Sequence, residues 1–324
     1  MTRSRFSLSV FAAVLTVAAF DAVGQEQADD VKSWLDRMNI AVEELNYRGT
    51  FVHEFDRNVE TLQIVHRNAG GEVREKLSSP DGSGREILRT ASGVRTVFPE
   101  QRLVMLEEPQ GSAIPLASSL NYTEGLEAYY DMGTFPKGQV VGRDTQVVSI
   151  RAKDEYRYGY LLWLDRETAL PLRSQVRDEN GRVVEQILFT AIDVVGAISE
   201  SDVAPAIDVD GFEWRRPIKA KPEASSREVW GATRLPNGFS QSISRQSLLA
   251  GSRYPVQHLV YTDGLATVSV FIAHPNSDAD MPEGFSQMGS TNVYSLKIDG
   301  RLATAMGEVP RRTVQRIATS LDAR

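Results

Sequence analysis

Apolar residues recur at helical spacing near the start of the chain. From Asp29 to Leu45, the residues Val31, Trp34, Leu35, Met38, Val42 and Leu45 fall on one face, and Asp29 and Asp30 sit where carboxylates favour the helix dipole. The spacing predicts one amphipathic helix. From Tyr47 the period drops to two, and turn signals recur at Asp56-Arg57-Asn58, Asn68-Ala69-Gly70-Gly71, Pro80-Asp81-Gly82, Ser92-Gly93 and Pro99-Glu100. Turns at such intervals predict an antiparallel meander.

A second helical stretch is expected around Asn121 to Tyr130, before Gly133 and Pro136 return the chain to extended structure. Tyr156 to Leu164 reads as a strand with bulk on both faces, which implies that both are covered. Leu172 to Asp178 and Val183 to Val194 flank Glu179-Asn180-Gly181-Arg182, an Asn-Gly hairpin whose turn accepts the positive φ values of type I′. Periodicity then fails from Pro205 to Ala224, where three prolines and eight charges predict a linker, with Phe212 and Trp214 able to dock on a domain. Beyond it come a strand at Val229 to Leu235, hairpins turning at Asp263-Gly264 and Asp299-Gly300, and a last helix. That helix has Pro310 in its first turn and Val314, Ile317, Ala318 and Leu321 on one face. The expected division is 25–204, a linker at 205–224, and 225–324.

The first residues bear on the compartment. Arg3 and Arg5 precede a run from Phe6 to Phe20 that is too short to span a bilayer, and Ala22-Val23-Gly24 supplies small residues for cleavage. Residues 1–24 therefore read as a signal peptide cut after Gly24, which predicts an exported, periplasmic protein; with no cysteine there, that end cannot be lipidated. Loss of two arginines and one aspartate takes the formal charge from −7 to −8. The acid is uneven: residues 25–204 carry −10, the linker is neutral, and 225–324 carry +2. The acidic balance of the chain argues against a nucleic-acid partner, which needs a basic face to displace counterions, and the smaller domain suits an acidic partner better.

Candidate chemistry is sparse. The 324 residues contain no cysteine, which removes disulfides, thiol catalysis and cysteine-ligated metals. His53 and His66 are expected across a hairpin from each other, with Glu54 adjacent, but two ligands do not make a metal site and ordinary half-buried histidines are favoured. His258 and His274 have no carboxylates at ligand spacing, and HExxH, GxSxG, GxxxxGK[ST] and GxGxxG are absent. Ser83 has glycines as immediate neighbours rather than two residues away, so a loop is favoured over a nucleophile elbow. Glu107-Glu108 and Asp154-Glu155 point to opposite faces if extended and read as solvated strand ends. No catalytic residue, metal or cofactor is expected. The apolar strands are more suggestive: Leu161, Trp163, Ile187 and Phe189 are candidates to line a lipid cavity inside a curved sheet, although on these residues alone an ordinary two-layer core is favoured.

Several segments together resemble the MucB/RseB family. They are Leu45-Asn46-Tyr47, Tyr129-Tyr130-Asp131, Val141-Gly142-Arg143, Arg157 to Asp165 (RYGYLLWLD), Leu170 to Arg173, Leu235 to Phe239 (LPNGF), Val260 to Leu265 (VYTDGL) and Gly307 to Pro310. Each is unspecific alone, but they run in order through both domains over nearly all of 28–321. The resemblance implies a mainly β (α+β) protein. Its large domain would be a LolA/LolB-like unclosed antiparallel β-barrel with helices, and its small domain a β-sheet with a C-terminal helix. It also implies a negative regulator of the extracytoplasmic stress sigma factor, which binds the periplasmic part of an RseA/MucA-type anti-sigma factor, shields it from a DegS-type site-1 protease, and is released by lipopolysaccharide or lipoprotein acyl chains. Tyr261, Asp263 and Gly264 are partner-binding candidates in the resembling hairpin, where making the turn is their simplest role. A soluble lipid or lipoprotein carrier is the alternative, an envelope hydrolase the weakest reading, and a homo-oligomer remains open.

Overall fold

The structure is a computed structural model describing residues 30–80, 84–107, 120–216, 230–247, 254–274 and 282–323. The predicted leader, Asp29, Ser83, Glu108, residues 217–224 of the linker and Val229 lie outside the described residues. Helix α1 covers 30–44, as its apolar spacing requires.

The chain after α1 forms a meander. Its strands are β1 (Asn46–Phe55), β2 (Asn58–Ala69), β3 (Glu72–Ser78), β4 (Glu86–Thr90), β5 (Gly93–Phe98), β6 (Leu103–Glu107), β7 (Tyr130–Val140), β8 (Arg143–Ala152), β9 (Gly159–Asp165), β10 (Pro171–Arg177) and β11 (Val183–Val195). A short β12 (Glu213–Arg215) completes a 12-stranded sheet in the order β12-β6-β5-β4-β3-β2-β1-β11-β10-β9-β8-β7. The two end strands are not paired with each other, so the barrel is unclosed. Val31, Leu35, Met38 and Val42 of α1 pack on one face of this sheet with Tyr47, Phe51, Ile64, Leu162, Ile187 and Phe189. Removing methylenes from such a site leaves a cavity, so Leu35→Ala is expected to lower stability by about 2–5 kcal/mol in urea denaturation.

The predicted linker begins as a strap on the large sheet. Lys76 donates to the Ala204 carbonyl at 2.9 Å, the buried Glu86 accepts the Ala206 N–H at 2.9 Å, and β12 runs parallel to β6 with Arg95 over the Trp214 ring. The expected helix at Asn121–Tyr130 shrinks to a 3₁₀ turn, Leu126–Ala128. Gly125 is left-handed (φ 92°) immediately before it, and Tyr130 is taken by β7. The Asn-Gly hairpin also differs. Only Gly181 has positive φ (77°), Gly181 N–H bonds the Asp178 carbonyl, and the Asp178 carboxylate caps the N–H groups of Asn180 and Arg182. An ordinary turn followed by a left-handed glycine thus replaces type I′, because Asp178 holds the loop open by one residue.

The smaller unit contains β13 (Trp230–Ala232), β14 (Ser240–Ser247), β15 (Val256–Thr262), β16 (Thr267–Ile272), β17 (Gly284–Met288), β18 (Thr291–Ile298), β19 (Arg301–Gly307), α2 (Arg311–Ala318) and β20 (Leu321–Ala323). Six strands form an antiparallel sheet ordered β14-β15-β16-β19-β18-β17, and β13 pairs with β20. Val314, Ile317 and Ala318 of α2 close a core with Leu259, Val268, Val270, Ala303 and Ala305. Leu321, expected on the helix face, instead begins β20 and still reaches this core. Among the described residues, no helix is long and apolar enough to cross a membrane.

Candidate functional site

The densest polar chemistry lies where the two domains meet. The loop between β8 and β9 carries Arg157 into that contact, and its side chain is 0% exposed. Its Nε donates to Asp263 Oδ2 at 2.5 Å, its other nitrogens reach the Asp154 carboxylate and the Asn237 carbonyl, and its Cζ lies 4.7, 5.1 and 5.8 Å from the ring centres of Tyr129, Phe239 and Tyr130. Asp263 and Asn237 belong to the small domain. A charge so desolvated survives only with charged and hydrogen-bonding partners. Burial is the largest influence and opposes the charge on Arg157, but the bond it donates to Asp263 and the charges of Asp263 and Asp154 together hold the guanidinium above its ordinary range.

Asp263 does two jobs with two oxygens. Oδ1 accepts the N–H groups of Leu265 and Ala266 at 2.9 and 2.7 Å, which shapes the β15–β16 hairpin tip. Oδ2 takes Arg157 and, at 2.9 Å, the Tyr130 hydroxyl, whose acidity falls sharply through burial and the adjacent carboxylate. The tip enters the large domain, where Leu265 joins the core. Two glycines permit the approach: a Cβ on Gly238 (φ 84°) would fall on the Tyr129 ring, and one on Gly264 (φ 102°) on Thr123.

A second group of contacts centres on Glu185 of β11. Its Oε1 lies 2.7 Å from His53 Nε2, and its Oε2 accepts the Ser290 N–H of the small domain at 2.7 Å. Burial would raise the Glu185 pKa, but the bonds from His53 and Ser290 bring it below the ordinary carboxylate range. Beside it, the Gly289 N–H bonds Asp56 at 2.9 Å, and Asn292 Nδ2 donates to the Tyr158 hydroxyl at 3.0 Å and the Val309 carbonyl at 2.9 Å. Burial pushes the Tyr158 hydroxyl up to about 12. The third group comes from α2. Thr313 donates to the Tyr156 carbonyl at 2.7 Å, Arg316 lies over the Tyr156 ring, and Arg312 pairs with Glu155 and Glu179.

The residues singled out by sequence fall differently around this joint, beginning with the partner-binding set. Asp263 and Gly264 stand in it, and Tyr261 is buried behind it with its hydroxyl accepting the Ala232 N–H at 2.7 Å. The four lipid-cavity candidates divide between two faces. Ser174 aligns with Leu162 and Ile187, so Ile187 and Phe189 lie on the α1 side; Arg173 aligns with Trp163 and Leu188, so Leu161 and Trp163 lie on the other. There Arg173 covers the Trp163 ring at 4.4 Å. The two histidines are not opposed: His53 aligns with Glu60, and His66 with Tyr47, on which it stacks at 4.8 Å. Among the described residues no three His, Asp or Glu side chains form a metal site. Asp154, expected as a solvated end, is half-buried and holds Arg157, whereas Glu155 is exposed as expected and pairs with Arg312. Glu185, Asn292 and Thr313 carry no signal in the sequence, whereas Arg157 leaves one, as a lone charge inside an aromatic run.

Comparison with known proteins places this architecture. The family model of the MucB/RseB N-terminal domain matches residues 30–207, and that of the C-terminal domain matches 224–322. The chain belongs to the MucB/RseB family. Among curated members of the family, it is 32% identical over 321 residues to the sigma factor AlgU regulatory protein MucB of Pseudomonas aeruginosa, covering 95% of this chain and 96% of that protein. It is 30% identical over 329 residues to the sigma-E factor regulatory protein RseB of Salmonella typhimurium, covering 98% and 96%. Among solved MucB structures, the Pseudomonas aeruginosa MucA/MucB complex matches at TM-score 0.66 with 30% identity, over 90% of this chain and 98% of that one. MucB bound to MucA(peri) matches at 0.65 with 31% identity, over 90% and 97%. In this MucB/RseB chain the joint brings together residues of both matched domains.

Proposed function

We propose that this protein is an exported, periplasmic regulator of an extracytoplasmic stress sigma factor. It holds the periplasmic segment of an RseA/MucA-type anti-sigma factor, protects it from site-1 proteolysis, and lets go when a lipid signal reaches its large domain. The observation that carries this reading is membership of the MucB/RseB family across both domains, together with the match to MucB in complex with MucA. In this reading the small domain makes the main partner contact, the large domain meets the lipid, and the joint couples them. Asp263 and Gly264 then serve the partner through the geometry of the joint, with Tyr261 supporting their hairpin.

For the lipid, the reading favours Ile187 and Phe189, which share the α1-covered face. A cavity of 590 Å³ opens at the end of the sheet between Leu62, Pro80 and Phe98, with Arg85 paired to Glu60 at 3.0 Å in its lining. Its wall is mixed, with Glu60, Thr61 and Ser79 beside the apolar groups and the Arg85 charge already paired, so it offers an acyl chain only part of its contact surface. A ligand releases a partner only by preferring the state in which that partner binds poorly.

Calorimetric titration of the purified protein with the anti-sigma periplasmic segment, with and without lipopolysaccharide fragments, is the test. Binding without the fragments and at least a tenfold loss with them is expected. No binding at all ends the proposal, and binding unaffected by the fragments removes its lipid part. A carrier, by contrast, would deliver lipoprotein to acceptor membranes with no anti-sigma factor present.

A further inference from the structure

The Glu185 end of the joint holds one carboxylate that its neighbours do not satisfy. Asn292 aligns with Gly307, so Glu308 follows β19 at the level of the Ser290–Thr291 turn, whose Ser290 N–H is bound to Glu185 Oε2. Glu308 is only half-exposed, and the next two residues, Val309 and Pro310, are buried. Among the described residues no cation pairs with it. Arg311 donates to Gln287, and Arg312 is taken by Glu155 and Glu179. The titratable groups that face this corner are Glu185 from β11, His53 from β1 bonded to Glu185, Tyr160 from β9 and Tyr158 bonded to Asn292. Beyond them stand Asp56, Asp178 and Glu179. The corner therefore crowds acids and phenols with a single histidine, while its cations, Arg311 and Arg312, are engaged by Gln287, Glu155 and Glu179.

We propose that this corner is a proton-operated latch: the domains close with Glu308 protonated and loosen when it ionises beside Glu185. The inference rests on the joint being the coupling element. It is tested on the joint itself, without partner or lipid, so its failure is distinguishable from failure of that reading.

The sign follows from the two states. In the closed joint, burial first and the Glu185 charge second raise Glu308 from its ordinary 4.5 to about 7. With the joint open, Glu308 faces water and reverts to the ordinary value. The open form therefore loses its proton first as pH rises, and the closed form loses ground through the interval between the two values. Above pH 7 both forms are ionised and the effect levels off. Linkage over that interval changes the open-to-closed ratio roughly fortyfold between pH 5 and pH 7.

The absence of cysteine allows two labels to be placed cleanly. Ala191→Cys and Gln315→Cys stand on exposed positions of the two domains and report their separation by fluorescence energy transfer. Expected are opening as pH rises from 5 to 7 and a nearly flat profile in Glu308→Gln, which stays closed. An unchanged profile in Glu308→Gln overturns the proposal, and opening on acidification overturns it as well. Should Glu308→Gln not fold, the carboxyl ¹³C titration of Glu308 in the wild-type chain decides. A midpoint near 7 supports the latch, and one near 4.5 refutes it.

Discussion

Arg157→Ala is expected to destabilise the assembled protein by about 3–5 kcal/mol, because it strands Asp263 as a buried carboxylate with only the Tyr130 hydroxyl and two backbone N–H groups. The loss is expected at the joint. Each domain has its own core, so denaturation should split from one transition into two as the domains unfold separately. Arg157→Lys should recover little, since a point charge cannot reach Asp263, Asp154 and the Asn237 carbonyl together while facing both Tyr129 and Phe239. The double variant Arg157→Met, Asp263→Leu separates the cost of an orphaned charge from the worth of the pair. Stability near that of the wild type is expected there, because removing both ions also removes their desolvation cost. If Arg157→Ala unfolds in one transition within about 1 kcal/mol of the wild type, the joint does not depend on the guanidinium.

For regulation this same pair matters more than its net stability. Two domains joined by loose apolar contact would flex through many arrangements. Buried charges with fixed partners leave few alternatives between fully made and fully broken, which is the two-state element a ligand needs to bias a distant partner. A signal arriving at the large domain need only strain the β8–β9 loop, which supplies Arg157, Asp154, Glu155 and Tyr156 to the joint.

How much of this was legible in the chain depends on the range over which each feature is encoded. Helix α1 and the hairpins at Asp263-Gly264 and Asp299-Gly300 are local: apolar spacing specifies the first, and left-handed turn residues the others. The division of Leu161 and Trp163 from Ile187 and Phe189 was not legible, because alternation shows that a strand has two covered faces but not which face meets the helix. Register across β10 settles it. The joint was least visible. Arg157 and Asp263 are 106 residues apart, and His53 and Glu185 are 132 apart, with no periodicity connecting them. Asp263 could be read only as a turn residue, which describes one of its oxygens and misses the other. The half-length helix at Asn121–Tyr130 failed for a related reason: Tyr130 has helical spacing but is claimed by a long-range pairing with Ala152.

Gly238→Val tests the joint without touching a charge, and its expected cost is about 2–5 kcal/mol, the sum of two effects. Part comes from the backbone. The residue sits at φ 84°, where a β-branched side chain is strained by about 1–2 kcal/mol. The rest comes from overpacking of about 1–3 kcal/mol, since the new side chain would occupy the Tyr129 ring position. Tyr129 cannot move without disturbing Arg157, whose guanidinium lies 4.7 Å from its ring centre. Displacing the ring should therefore open the cage around Arg157 and separate the domains while both cores stay intact. Native-state hydrogen exchange can read this directly. Faster exchange is expected for the N–H groups of Leu265 and Ala266 at the hairpin tip and of Ser290 at the far end of the joint, with core amides of β1 and β16 unchanged. Acceleration at Ser290 is the discriminating observation, because Gly238 does not touch it. Exchange that quickens at the hairpin tip alone would mean that the two ends of the joint open independently and that the contacts of Glu185 are not coupled to those of Arg157.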